Sequence, residues 1–106
     1  MTVYNKLVRD RIPELIEQKG EHPVVRILDD AEYTEQLERK LDEEVAEYHR
    51  DRNLEELADI MEVVFALTEN LGASREELME AYRRKNEKRG GFSKRIFLVA
   101  KEEEMF

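Results

Sequence analysis

Two helix-length stretches of this chain are separated by only three residues, Asp51-Arg52-Asn53. Helices joined by so short a turn lie antiparallel and side by side. The first stretch begins where Asp29 or Asp30 can cap it and runs to about Arg50. The second opens on Asn53 with Glu56 three residues later, a capping-box pattern, and stops at Gly72.

At about 100° per residue, Leu37, Leu41, Val45 and Tyr48 fall in one stripe of the first helix, and Glu44 projects into it. Glu47 lies at the edge of the stripe, while Glu38 and Asp42 point to the other flank. A carboxylate inside an apolar stripe is costly to bury unless it is paired or bound to a metal. On the second helix, Asp59 shares its side with Val63 and Ala66, so it too is drawn inward. From Ile60 to Leu71 that helix is apolar on more than one side, which is expected of a helix in the middle of an assembly. The sequence therefore predicts a central bundle helix that also packs against a partner subunit, in a homodimer or higher homo-oligomer.

Shorter signals surround this hairpin. Pro13 suits the first turn of a short helix that Gly20 ends. Ser74 with Glu77 opens a fourth helix through Leu78, Met79 and Tyr82, closed by Gly90-Gly91. The β-branched run Val24 to Leu28 and the run Arg95 to Ala100 read as strands. The expectation is an all-α, four-helix bundle-like single domain over 1–106, with a small two-stranded β ribbon pairing about 24–28 with 95–100. The tail, Lys101 to Phe106, is expected to fray.

With no cysteine, thiolate ligands, disulfides and cysteine nucleophiles are excluded, so a metal must be held by oxygen or histidine. The only histidines, His22 and His49, are too dispersed for a histidine site. The 18 basic and 26 acidic side chains give a net charge of −8, which argues against nucleic acid as a partner. No apolar run is long enough for a membrane span, and the opening residues lack a signal-peptide core, so a cytoplasmic location is expected.

The acid is concentrated in two clusters, Glu43-Glu44-Val45-Ala46-Glu47 and Glu55-Glu56-Leu57-Ala58-Asp59. Residues three apart share a helix side, so Glu44 with Glu47 and Glu56 with Asp59 each form a two-carboxylate claw. Either claw alone is explained by a solvated acidic face, and Glu56 also by reciprocal capping of Asn53. Two claws on adjacent helices are harder to dismiss. Clustered carboxylates repel and raise one another's pKa, and a divalent cation removes that difficulty. Mg²⁺, or Mn²⁺ in its place, suits an all-oxygen set.

A metal on carboxylates commonly manages phosphates. Lys85, Asn86, Lys88 and Arg89, and near the start Lys6 and Arg9, are candidate phosphate ligands. The plainer alternatives are complementing a helix dipole for the first group and salt bridging to the acidic helices for the second. Gly90-Gly91 lacks the spacing of a phosphate-binding loop.

Glu43-Glu44-x-x-Glu47 followed by Glu56-x-x-Asp59 resembles the EExxE…ExxD signature of the MazG-type all-α nucleoside triphosphate pyrophosphohydrolases, which include phosphoribosyl-ATP pyrophosphohydrolase and dimeric dUTPases. The segments Tyr4-Asn5-Lys6-Leu7-Val8-Arg9-Asp10-Arg11-Ile12-Pro13 and Lys85-Asn86-Glu87-Lys88-Arg89-Gly90-Gly91-Phe92 resemble a compact branch labelled phosphoribosyl-ATP pyrophosphohydrolase-like. The resemblance implies an oligomeric helical bundle binding Mg²⁺ through Glu44, Glu47, Glu56 and Asp59. It also implies attack of water on the α–β phosphoanhydride of a nucleotide, with release of a monophosphate and pyrophosphate, and a place for Asn86 and the neighbouring cations near the phosphates. For the carboxylate that orients or deprotonates the water, Glu47 is preferred, with Glu43 the second candidate. Only eight residues, Tyr48 to Glu55, separate Glu47 from Glu56, fewer than in typical members, which bears on the base pocket and leaves both claws intact. Two other classes fit the same residues: a non-catalytic nucleotide- or metal-binding regulator, and an acidic helical interaction module.

Overall fold

The computed structural model describes residues 1–103 and is all-α among them, with four helices: α1 (Ile12–Gln18), α2 (Asp30–Asp51), α3 (Leu54–Asn70) and α4 (Arg75–Arg89). The chain divides into two compact units, Met1–Ser74 and the residues from Arg75 on. The last three positions of the tail expected to fray lie outside the described residues.

Local chemistry sets each helix boundary in the first unit. Pro13 occupies the first turn of α1, where its missing N–H costs nothing. The helix closes on Gly20 at φ 83°, with the Gly20 N–H donating to the Glu17 carbonyl (2.9 Å) and the Glu21 N–H to the Ile16 carbonyl (3.2 Å). That pair of bonds is the Schellman arrangement, and it recurs at the end of α3 around Gly72, φ 86°. At the start of α2, Asp29 Oδ1 accepts from the Glu32 N–H at 2.9 Å; at the start of α3, Asn53 Oδ1 accepts from the Glu56 N–H at 3.0 Å.

The reversal between α2 and α3 takes two residues. Arg52 is left-handed, at φ 47° and ψ 51°, and its N–H donates to the Tyr48 carbonyl at 2.7 Å. Asn53 then returns to extended backbone and caps α3. At the opposite end of the pair, Asn70 Nδ2 donates to Thr34 Oγ1 at 3.0 Å, holding the C-terminus of α3 to the N-terminus of α2. Between these points the facing stripes meet. Leu37 and Val63 are the buried apolar side chains among the described residues, and the two buried polar ones are Glu44 and Thr68. Thr68 is satisfied locally, its hydroxyl donating to the Val64 carbonyl at 2.8 Å. Glu44 is not so easily explained.

The second unit contains α4, which begins directly after Ser74 and ends where the Gly90 N–H, at φ 77°, donates to the Asn86 carbonyl at 2.8 Å.

The β ribbon does not form. Residues 24–28 and 95–100 carry no strand, and Val24, Val25, Ile27, Ile96, Phe97, Leu98 and Val99 are all exposed. Arg95, the proposed first residue of the second strand, sits at φ 59°, outside the extended region, and its N–H is used in a turn to the Phe92 carbonyl at 3.0 Å. A strand needs a ladder partner for its backbone groups, and β-branched composition does not supply one. Among the described residues no helix is long and apolar enough to cross a membrane.

Candidate metal centre

Four carboxylates converge at the turn end of the α2–α3 pair. α2 contributes Glu44 and Glu47, and α3 contributes Glu56 and Asp59. One oxygen from each lies within 4.8 Å of all the others. Oxygens on opposite sides of a Mg²⁺ ion, at about 2.1 Å each, stand about 4.2 Å apart. The cluster is therefore close to the size at which a single divalent cation touches all four.

Burial separates this cluster from an ordinary acidic face. Glu44 is only 6% exposed, and the other three are half-buried. Glu44 Oε2 and Glu56 Oε2 are buried and have no hydrogen-bond partner among the described residues. A buried acceptor without a donor is costly, the more so when it carries charge. Burial pushes the Glu44 carboxyl above its usual range, and the hydrogen bond and negative charge of Glu47 push it further, against an opposing pull from Lys40. Glu56 is raised by desolvation and then by the charges of Glu47, Asp51 and Asp59. Both shifts describe carboxylates short of positive charge. An all-oxygen, partly desolvated set fits a hard divalent cation such as Mg²⁺ or Mn²⁺.

Basic side chains on the rim hold the outer oxygens. Arg9 Nη2 lies 2.6 Å from Asp59 Oδ1. Lys40 Nζ lies 3.4 Å from Glu44 Oε1 and 3.5 Å from Glu43 Oε2, and Lys6 Nζ lies 3.3 Å from Glu43 Oε1. The segment ahead of α1 is thus tied to the hairpin through Lys6 and Arg9, as the salt-bridging alternative anticipated. Glu43 faces the two lysines and does not belong to the converging four. Glu56 takes part in the cap through its backbone N–H, while its Oε2 faces inward.

Sequence reasoning overlooked Lys40. Its signal is local: four residues before Glu44 and three before Glu43, it reaches both carboxylates from one helix turn away, with a side chain only 16% exposed. Lys85, Asn86, Lys88 and Arg89 belong to the second unit, exposed on the last turns of α4. His49 is exposed and meets Tyr48 edge to face at 5.9 Å, away from any ligand role.

No protein-family model matches this chain, and no solved structure matches it. Over 42 residues it is 64% identical to an uncharacterized protein of Mycolicibacterium smegmatis, a stretch covering 40% of this chain and 43% of that relative. The match thus spans less than half of the relative's length.

Proposed function

We propose that this chain is a Mg²⁺-dependent nucleoside triphosphate pyrophosphohydrolase of the MazG-like type, built as a helical bundle and working as a homo-oligomer. The observation that carries the reading is the convergence of Glu44, Glu47, Glu56 and Asp59, two of them with buried oxygens that no described residue satisfies. Mn²⁺ would serve the same ligands. When bound, the cation supplies charge neutralisation on the phosphates of a (d)NTP or related nucleotide.

The residues divide the remaining work. Glu44 and Asp59, each held at one oxygen by a basic side chain, keep fixed orientations on facing helices. Such outer contacts set the direction of a ligand as firmly as its own helix does. Glu47 is the carboxylate that accepts a proton from the attacking water. Glu43 is less suited to that part because Lys6 and Lys40 engage both of its oxygens. Lys85, Asn86, Lys88 and Arg89, exposed on the last turns of α4, offer donors for phosphate oxygens, and Lys6 and Arg9 are cations already at the rim of the centre. Cleavage at the α–β anhydride leaves a nucleoside monophosphate and pyrophosphate.

Homo-oligomerisation is supported by α3, whose Leu54, Leu57 and Met61 remain exposed although the helix is apolar on several sides. A second copy covering them would give α3 the central position its composition suits.

The test is pyrophosphate release across canonical, deoxy and modified nucleotides with and without Mg²⁺, comparing the native chain with Glu44→Gln and Asp59→Asn. Activity that needs the cation and vanishes in both variants while their helicity persists is the expected result. Full activity in both variants would remove the ligand assignment, and tight nucleotide binding without turnover would turn the reading toward a regulator.

A further inference from the structure

Lys40 differs from the other basic side chains of the first unit. Lys6, Arg9, Arg11, Arg26, Arg39 and Arg50 form their ion pairs with side chains 43% to 76% exposed, where such contacts contribute little. The Lys40 side chain is 16% exposed, and its partner Glu44 is buried. An ammonium withdrawn from water needs negative charge close by, and Lys40 has it twice, from Glu44 Oε1 at 3.4 Å and Glu43 Oε2 at 3.5 Å. Its three donors allow it to serve both. Lys40 is therefore a fixed charge of the centre rather than part of a solvated helix face.

Lys40 limits what the carboxylates can offer a metal. Two divalent cations sharing one centre stand about 3.5–4 Å apart, held by carboxylates that present one oxygen to each ion. Glu44, the most buried of the four, is not free to do so. Its Oε2 is buried without a donor among the described residues, but its Oε1 has the Lys40 ammonium beside it. An ion bound to Oε1 would lie within a few ångströms of that ammonium and be repelled by it. Asp59 is limited in the same way, because Arg9 Nη2 holds its Oδ1 at 2.6 Å. The charges are balanced to the same end. The four converging carboxylates and Glu43 carry five negative charges, and Lys6, Arg9 and Lys40, in contact with them, return three positive ones. The field of Arg50 also reaches Glu47 and Glu56, but Asp51 pairs with it and cancels its charge. The two negative charges that remain match one divalent cation.

We infer, resting on the metal reading proposed above, that Lys40 stands in the place of a second metal ion, so that the centre takes a single divalent cation per chain. Lys40 acts through Glu44, holding Oε1 and leaving Oε2 for that one ion.

Manganese EPR, with calorimetry as a second count, reads the number of ions directly in the full chain without nucleotide. The native chain should bind one Mn²⁺ and show the spectrum of an isolated ion. Lys40→Ala removes the charge and opens space beside Glu44 Oε1. It should bind two, the second at least about tenfold more tightly than any second ion on the native chain, with the broadened spectrum of a coupled pair. Lys40→Arg keeps the charge and should stay at one. Two ions of similar affinity on the native chain would overturn the inference while leaving the metal reading in place, whether or not any variant folds. A folded Lys40→Ala that still takes a single ion would overturn it as well. No Mn²⁺ on the native chain would remove the metal reading itself, and this inference with it.

Discussion

Glu44 concentrates the tension of this fold in one side chain. Its carboxyl titrates above the ordinary 4.5 because it is buried and shares space with Glu47. Above pH 4.5 the folded state therefore retains a proton that the unfolded chain releases. The stability tied to this group is fully present below pH 4.5 and drains away as pH rises through the raised value. Glu44→Gln keeps the shape without the charge. In chelator its melting temperature should exceed that of the native chain by a few degrees at pH 7.5, the gap closing toward pH 4.5; a gap constant across that range would contradict the assignment. Adding Mg²⁺ should raise the melting temperature of the native chain and not that of the variant, since a ligand of the folded state stabilises it. Lys40 opposes the shift on Glu44. Lys40→Met should therefore push the Glu44 pKa higher still, measured by side-chain carboxyl NMR, and lower the metal-free melting temperature at neutral pH.

At the scale of the element, α3 depends on its first turn. Asn53 satisfies the Glu56 N–H and also places the start of the helix that carries Glu56 and Asp59. Asn53→Ala should cost about 1 kcal/mol in denaturant unfolding and weaken Mg²⁺ binding by calorimetry; unchanged affinity would show that cap and claw are uncoupled. The helices were legible in the sequence because their signals are local: Asp29 and Asn53 cap within three residues, and Gly20, Gly72 and Gly90 stop α1, α3 and α4 at positive φ. The pairing of Glu44, Glu47, Glu56 and Asp59 was legible for the same reason, since spacing and a short turn suffice. The strands were not. Val24 to Leu28 has the composition of a strand, but strand formation depends on a partner elsewhere in the chain, and Arg95 turns away from that role. Lys40 was overlooked although its spacing to Glu43 and Glu44 is just as local; which of several nearby cations serves each carboxylate is settled by side-chain reach.

For the whole molecule, charge is divided as unevenly as structure. The acidic claws lie in the first unit and the basic stretch 83–95 in the second. The proposed homo-oligomer belongs to this scale. Leu57→Glu with Met61→Glu, on the exposed side of α3, should lower the sedimentation mass to that of a single chain while α-helical content is retained; an unchanged mass would place the subunit contact elsewhere. The pair α2 and α3 also has a mechanical consequence. It is pinned at both ends, by the covalent turn at Arg52 and by the Asn70–Thr34 hydrogen bond at the far end. A covalent turn yields less readily than a hydrogen bond, whose net contribution is about 1 kcal/mol. Because the four carboxylates sit beside the turn, opening of the hairpin at its Thr34 end would leave their spacing the least disturbed.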